Sequence, residues 1–419
     1  RDCLLSRGLG DVYKRQMTVR HGNARGITMK RIHLLAALAA LGLAHGAPAW
    51  ADVKIGLLTT LTGPGSVLGQ DQLDGFMLAV EQGGGKLGGV PVQVIKEDDQ
   101  FKPEVGVQAA RKLVQSDKVP IITGVVYSNV MLAVARPVTS AGVFLVGSNA
   151  GPTNLAGKDC SPFFFSTSWN NTQRHEGSGE MANQMGFKKV YLLAPNYQAG
   201  KDAMAGFKRF YQGQVVNEVF TQVNQPDYSV ELAALADAKP DAAYVFFPGG
   251  MGVNFVKQYR QAGLFGKIPL LSVDTIDGAT LPALGQDALG AVTNVPYSPD
   301  LDNAANKAFA AAFRQKYGRE PSSYAAQSWD AAQLIGSALK RTGGKVDDKD
   351  ALRRALEAAD FQSVRGEFRY QPNHFPVAGF FRADVAQGAD GKVGFVNKGP
   401  IFPDLSKVSD QYATQCVMK

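Results

Sequence analysis

The chain has 419 residues, 45% of them hydrophobic and 19% charged, with 44 Lys and Arg against 37 Asp and Glu for a formal net charge of +7. Eight of those basic and two of those acidic residues fall within positions 1–51, leaving 36 against 35 beyond them. The near-neutral remainder, with no basic run interleaved with aromatics, excludes a nucleic-acid partner on charge grounds.

Residues 1–28 do not begin with methionine and carry no hydrophobic periodicity, so they are expected to be flanking sequence. From Met29 a secretory signal is expected over 29–51. Lys30 and Arg31 supply the charged start, 32–46 an apolar run too short to span a bilayer, and Ala49-Trp50-Ala51 a small-x-small cleavage site. Cleavage after Ala51 predicts a periplasmic protein.

The 368 residues beyond position 51 exceed what one hydrophobic core serves, which predicts two domains. An apolar run predicts a strand over 53–58. A helix over 70–81 follows, with Leu73, Phe76, Met77 and Val80 at i, i+3, i+4 and i+7. Next come a strand over 92–96, a helix over 103–115 opened by Pro103, strands over 120–123 and 143–146, and a helix over 129–141 between them. This βαβα order is that of a parallel, doubly wound sheet.

After a crossing segment over 160–171 the pattern restarts. Helices are predicted over 175–185, 201–211, 229–236 and 252–262, and strands over 190–194, 215–220, 242–247 and 270–273. Beyond Pro299, helices over 304–317, 324–340 and 350–359 precede alternating stretches over 366–370, 378–384 and 393–396. The expected fold class is α/β, with two doubly wound parallel-sheet lobes joined by a multi-crossing hinge. The simplest assignment places 52–168 with 299–365 in an N-terminal lobe and 169–298 with 366–419 in a C-terminal lobe.

Residues 83–88 satisfy G-x-G-x-x-G, but a helix precedes them and a strand follows, the reverse of the order a dinucleotide site needs, so they read as a helix stop and turn. His175 and His374 are the only histidines beyond position 51, and no H-E-x-x-H, C-x-x-C or G-x-S-x-G occurs there. Glu97-Asp98-Asp99 reads as a solvated turn capping the next helix. The expectation is no enzyme, no cofactor and no metal. Cys160 and Cys416, the only cysteines beyond position 51, are an expected disulfide in an oxidising compartment.

Loops at strand carboxyl ends line the ligand crevice of open α/β sheets. Here they fall at 62–69, 124–129 and 147–153, then at 195–200, 247–252 and 274–278, and are rich in Gly, Ser, Asn and Tyr. Tyr127, Tyr197 and Phe247 offer flat apolar walls there, or else fill the lobe cores.

Ile55-Gly56-Leu57 with Thr62-Gly63-Pro64, Tyr127-Ser128, Ser148-Asn149-Ala150-Gly151 and Tyr197-Gln198-Ala199-Gly200-Lys201-Asp202 occur in an order and spacing that resemble the type I periplasmic binding proteins of ABC importers, in the leucine/isoleucine/valine-binding branch. The resemblance runs from Asp52 to the C-terminus. It implies a monomeric two-lobed clamp that closes on its ligand and docks on ABC permease subunits. It also implies that Ser128 and the backbone at Ala150 and Gly151 hold a ligand carboxylate, that Tyr197 closes from the other lobe, and that Asp274 stands where amino-acid binders pair the ligand ammonium.

Leu68 replaces an aromatic of some amino-acid binders, while Ser148–Pro152 and Asn196–Gly200 resemble a subgroup for aromatic carboxylates. Asp274 then points away, binds through water, or marks an amino-acid ligand. With Tyr127, Asn149 and Phe247 completing the candidate set, the expected function is an extracytoplasmic substrate-binding protein for a small organic carboxylate. An aromatic acid is favoured and a hydrophobic or branched-chain amino acid comes next. The alternative is a sensory ligand-binding protein of the same fold.

Overall fold

Val53–Thr59 (β1) is buried along almost its whole length, with Ile55, Leu57 and Leu58 fully enclosed, as a strand covered by helices on both faces must be. The computed structural model that contains it describes residues 52–377, 379–389, 391–404 and 410–418. The flanking sequence, export signal and cleavage site expected over 1–51 lie outside the described residues.

The first sheet combines β1 with Lys86–Leu87 (β2), Val90–Asp98 (β3), Ile121–Gly124 (β4), Phe144–Gly147 (β5) and Phe164–Ser166 (β6), in the order β2-β3-β1-β4-β5-β6. All its pairings are parallel except β2 with β3. Ser66–Gln82 (α1), Pro103–Arg111 (α2), Ser128–Ser140 (α3) and the short Thr153–Ala156 (α4) connect these strands. The chain then enters Asn171–Gln184 (α5), Lys189–Pro195 (β7), Gln198–Phe210 (α6), Gln214–Thr221 (β8), Ser229–Ala238 (α7), Ala242–Val245 (β9), Gly250–Gln261 (α8), Leu270–Ser272 (β10), Leu281–Leu284 (α9) and Val292–Val295 (β11).

It next returns toward the first sheet as Ala304–Tyr317 (α10), Ser323–Thr342 (α11) and Lys349–Ala358 (α12), whose Leu334, Ile335, Leu352 and Leu356 share a core with Ile55 and Leu57. The hairpin Phe381–Gln387 (β12) and Val393–Pro400 (β13) completes the second sheet, ordered β13-β12-β11-β10-β9-β7-β8, with β13–β12 and β12–β11 paired antiparallel.

The glycine run at 83–88 ends α1 and turns into the β2–β3 hairpin. A Cβ at Gly88, whose φ is +58°, would lie 1.8 Å from the Gly336 carbonyl oxygen, so this turn needs glycine to dock on α11 and not to cradle a phosphate. Cys160 and Cys416 are joined by a disulfide, with Cα atoms 5.6 Å apart.

Three expectations differ from the structure. The segment 366–370 forms only isolated bridges, Ser363 with Gly366 and Tyr370 with Pro376, and its alternation reflects Phe368 and Tyr370 stacking near Phe361 and Phe165. β11 escapes a search for apolar runs because Thr293 and Asn294 occupy its centre. Both are buried, and the Thr293 hydroxyl donates to the Ile276 carbonyl at 2.9 Å. Finally, α5 starts four residues before the predicted 175. Asn170 accepts from the Gln173 amide while the Gln173 side chain accepts from the Asn170 amide, a capping box that fixes the start.

Candidate functional site

The carboxyl edges of the two sheets face one another, and five helices begin at the slot between them. Leu68 comes from the first turn of α1, Ser128 opens α3, Asn171 and Arg174 lie in the first turns of α5, Ala199 in that of α6 and Tyr324 in that of α11. Tyr127 and Tyr197 are the N-cap residues of α3 and α6, both in extended conformation and neither capping with its side chain. First-turn amides have no intrahelical acceptor, so these two ends present unpaired N–H groups and the positive ends of their dipoles to the slot.

The cavity is narrow, with about 370 Å³ of space between the atoms that line it. Its walls are aromatic. Tyr127 stacks on Phe101 with ring centroids 3.7 Å apart, Tyr197 lies parallel to Phe246, and the Arg174 guanidinium sits 3.9 Å above the Trp169 ring. Asp99 holds Phe101 in place by accepting from its amide at 2.8 Å and from the Thr60 hydroxyl at 2.6 Å, while Asp98 accepts from the Leu61 amide and the Thr62 hydroxyl. Asp99 is fully buried, which raises its pKa, so the acidic run is a loop brace and not the solvated helix cap expected.

Polar contacts close the slot from both sides. The Gly250 amide donates to the Pro64 carbonyl at 3.0 Å. The Asn171 side-chain amide donates to the Ser128 hydroxyl at 3.0 Å and to Asp202 at 2.8 Å, and Asp202 also accepts from the Thr153 hydroxyl at 3.0 Å. Arg174 and Asp274 form a buried fork, with both terminal guanidinium nitrogens on both carboxylate oxygens. His175 pairs with the Tyr244 hydroxyl, and burial beside Arg174 holds its pKa well below the usual histidine range, so the imidazole is neutral. The Nε of Arg174, the hydroxyls of Tyr127 and Tyr324 and the Oδ1 of Asn149 are buried with no partner among the described residues.

Seven of the predicted site residues line this slot: Leu68, Tyr127, Ser128, Asn149, Ala150, Tyr197 and Asp274. Phe247 and Gly151 do not. Phe247 points into the second-sheet core, stacked on Phe255 at 4.7 Å and edge-on to Tyr228, and its neighbour Phe246 supplies the wall. The Gly151 amide donates to the Asn171 Oδ1 at 3.2 Å and the Ala150 amide to the Val125 carbonyl at 3.1 Å, so neither is free for a ligand carboxylate. Asp274 neither points away nor stands free, because Arg174 occupies both its oxygens.

Sequence reasoning missed Arg174, Trp169, Asn171, His175, Phe246 and Tyr324. The signal for three of them was present in Asn170-x-x-Gln173, which moves the start of α5 upstream and puts Arg174 one turn in from the crossing.

Residues 52–392 match the periplasmic binding protein family. The chain is 29% identical to the Leu/Ile/Val-binding protein homolog 6 of Brucella melitensis, over 87% of this chain and 95% of that protein. Among solved structures it is similar to an ABC transporter solute-binding protein of R. palustris in complex with benzoate, with a TM-score of 0.80 and 34% identity over 84% of this chain and 97% of the other. It is also similar to one of Rhodopseudomonas palustris BisB5 in complex with 3,4-dihydroxybenzoic acid, with a TM-score of 0.78 and 32% identity over 83% and 97%. The chain belongs to the periplasmic binding protein family and, like these relatives, is an ABC-transporter solute-binding protein, not an enzyme.

Proposed function

We propose that the protein captures a small aromatic carboxylate between its two lobes in the periplasm and delivers it to an ABC permease. The observation that carries this reading is the meeting of two uncapped helix N-termini in a narrow, aromatic-walled slot. Helix N-termini favour an anion, and flat walls a few ångströms apart favour a ring. The Ser128 hydroxyl and the first-turn amides of α3 would take the carboxylate, and Tyr127 and Tyr197 would flank the ring. The benzoate and dihydroxybenzoate bound by two similar structures support this class.

In this reading the signal is removed after Ala51, the protein works as a monomer, and the lobes 52–168 with 299–365 and 169–298 with 366–419 hinge about the chain crossings. Calorimetry on residues 52–419, unfolded and refolded to strip carried-over ligand, tests it. Binding of benzoate or 3,4-dihydroxybenzoate with a Kd in the micromolar range or below is expected. Absence of binding by every aromatic and aliphatic carboxylate offered would overturn it.

A further inference from the structure

Resting on that reading, we propose that the Arg174–Asp274 fork makes the slot selective for acids that lack an α-ammonium group, with Arg174 fixed to meet the ligand carboxylate alongside Ser128 and the α3 amides, and Asp274 withheld from any ligand amine. Asp274 is the one carboxylate among the residues lining the slot, and Arg174 the one cation. Both oxygens of Asp274 are taken by the two terminal guanidinium nitrogens, and the side chains are 7% and 3% exposed, so solvent does not compete for the pair.

An ammonium group entering the slot therefore finds no free counter-charge. It also meets Arg174 and the positive ends of α3 and α6, which disfavour a cation as much as they favour an anion. A carboxylate meets the opposite situation. Of the guanidinium nitrogens of Arg174, Nε is buried and has no partner among the described residues, so its N–H is a donor not spent on Asp274.

Two contacts hold the guanidinium for that encounter. Asp274 grips its two terminal nitrogens, and the Trp169 ring centroid lies 3.9 Å from its central carbon. A donor already oriented loses little freedom on binding. A zwitterion could be served only by opening the fork, with Arg174 going to the carboxylate and Asp274 to the ammonium. Against that stands the cost of separating a buried bidentate pair.

The test uses ligand pairs that differ only in the amine, phenylacetate against phenylglycine and 4-methylpentanoate against leucine, with benzoate as reference, measured by calorimetry on residues 52–419. The expected result is that benzoate or a deaminated acid binds at least 100-fold more tightly than the amino acids. In Arg174→Met the acids should weaken at least 100-fold, and the preference for the deaminated partner should shrink or invert as Asp274 becomes free to pair with an amine. Asp274→Asn keeps the cation and an acceptor for it, so this variant should hold acids within about threefold of the parent or more tightly and still reject amino acids.

Leucine or phenylglycine binding the parent as tightly as its deaminated partner would sink the selectivity inference while leaving carboxylate capture standing. Loss of acid binding in a folded Asp274→Asn variant would do the same. If the parent binds none of the five compounds, it is the proposed function that fails.

Discussion

Among the described residues two arginine–aspartate pairs are buried, and they differ in how completely they are satisfied. In the pair between Arg365 and Asp330, Asp330 accepts from the Ser363 hydroxyl at 2.6 Å, the Val364 amide at 3.1 Å and the Arg365 Nε at 3.1 Å, while the Arg365 terminal nitrogens donate to the Thr167 and Ser168 carbonyls. It ties α11 and the segment after α12 to the crossing that leads into α5. In the slot, Arg174 and Asp274 satisfy each other, leave Nε without a partner among the described residues and line the cavity between the lobes. In the first pair every side-chain nitrogen and oxygen has a partner, and so it reads as structural. The second leaves one nitrogen without a partner at the wall of the cavity, and a buried unmet donor is costly enough to need a reason.

The largest expected effect comes from breaking the satisfied pair. Asp330→Ala leaves the Arg365 charge buried without its partner and strips acceptors from Ser363 and Val364, which should cost about 3–5 kcal/mol of unfolding free energy in urea. A loss below about 1 kcal/mol would remove the structural reading of this pair, and with it the contrast.

The sheets and the slot were unequally legible in the sequence for the same physical reason. Strands such as 53–58 and 143–146 announce themselves because burial on both faces leaves only apolar residues, and Tyr127 and Tyr197 could be picked out because turns after such strands end at helix starts. Helix α5 hides. Its sequence is polar, with Arg174, His175 and Glu176 in succession, yet 11 of its 14 residues are buried, so it reads as a solvated face while lying inside. Its polar side chains are inside because each is answered across the molecule, Asn171 by Ser128 and Asp202, Arg174 by Asp274, His175 by Tyr244 and Glu176 by Arg209. Those partners lie 31 to 100 residues away, and no local pattern carries them. Phe247 was chosen over Phe246 because a strand predicted to run to 247 instead ends at Val245, and an error at a strand end exchanges which neighbour faces the slot.

A second, smaller effect sharpens the comparison with an acid that has no basic partner. Asp277 is buried and, like Arg174, lines a second, larger groove whose other walls include Tyr297 and Arg319. Its Oδ1 accepts from the amides of Ala279 and Thr280, its Oδ2 has no partner among the described residues, and burial, aided by the nearby Asp274, pushes its pKa from 3.8 up to about 7. The folded state thus holds this proton more tightly than the unfolded chain, so the contribution is fully present below pH 3.8 and is lost as pH rises toward 7. Asp277→Asn keeps the Oδ1 acceptor and removes the ionisation. The variant should match the parent near pH 4 and be about 2 kcal/mol more stable at pH 8, read from urea unfolding at both values. Equal stability at both would mean the carboxylate finds a partner when it ionises.

The smallest effect is the most discriminating for the slot. The Tyr127 hydroxyl lies between the lobes, close enough to Gly65 that a Cβ there would sit 2.3 Å from it and to Gly249 that one would sit 3.2 Å away, yet it has no hydrogen-bond partner among the described residues. Burial raises its pKa, so it remains an un-ionised donor. Removing a satisfied buried hydroxyl leaves its partner unmet, whereas removing an orphan leaves nothing unmet. Tyr127→Phe should therefore keep the unfolding free energy within about 0.5 kcal/mol of the parent, in contrast to the several kcal/mol expected at Asp330. If the hydroxyl is held for the ligand, the same variant should bind benzoate unchanged and lose about tenfold, about 1.4 kcal/mol, only with a ring that carries a hydroxyl of its own. An equal loss with both ligands would place Tyr127 against the carboxylate instead of the ring's far end. A stability loss above about 1.5 kcal/mol would show that the hydroxyl already has a partner in the ligand-free protein, and that an unmet group does not distinguish the slot from the structural pair.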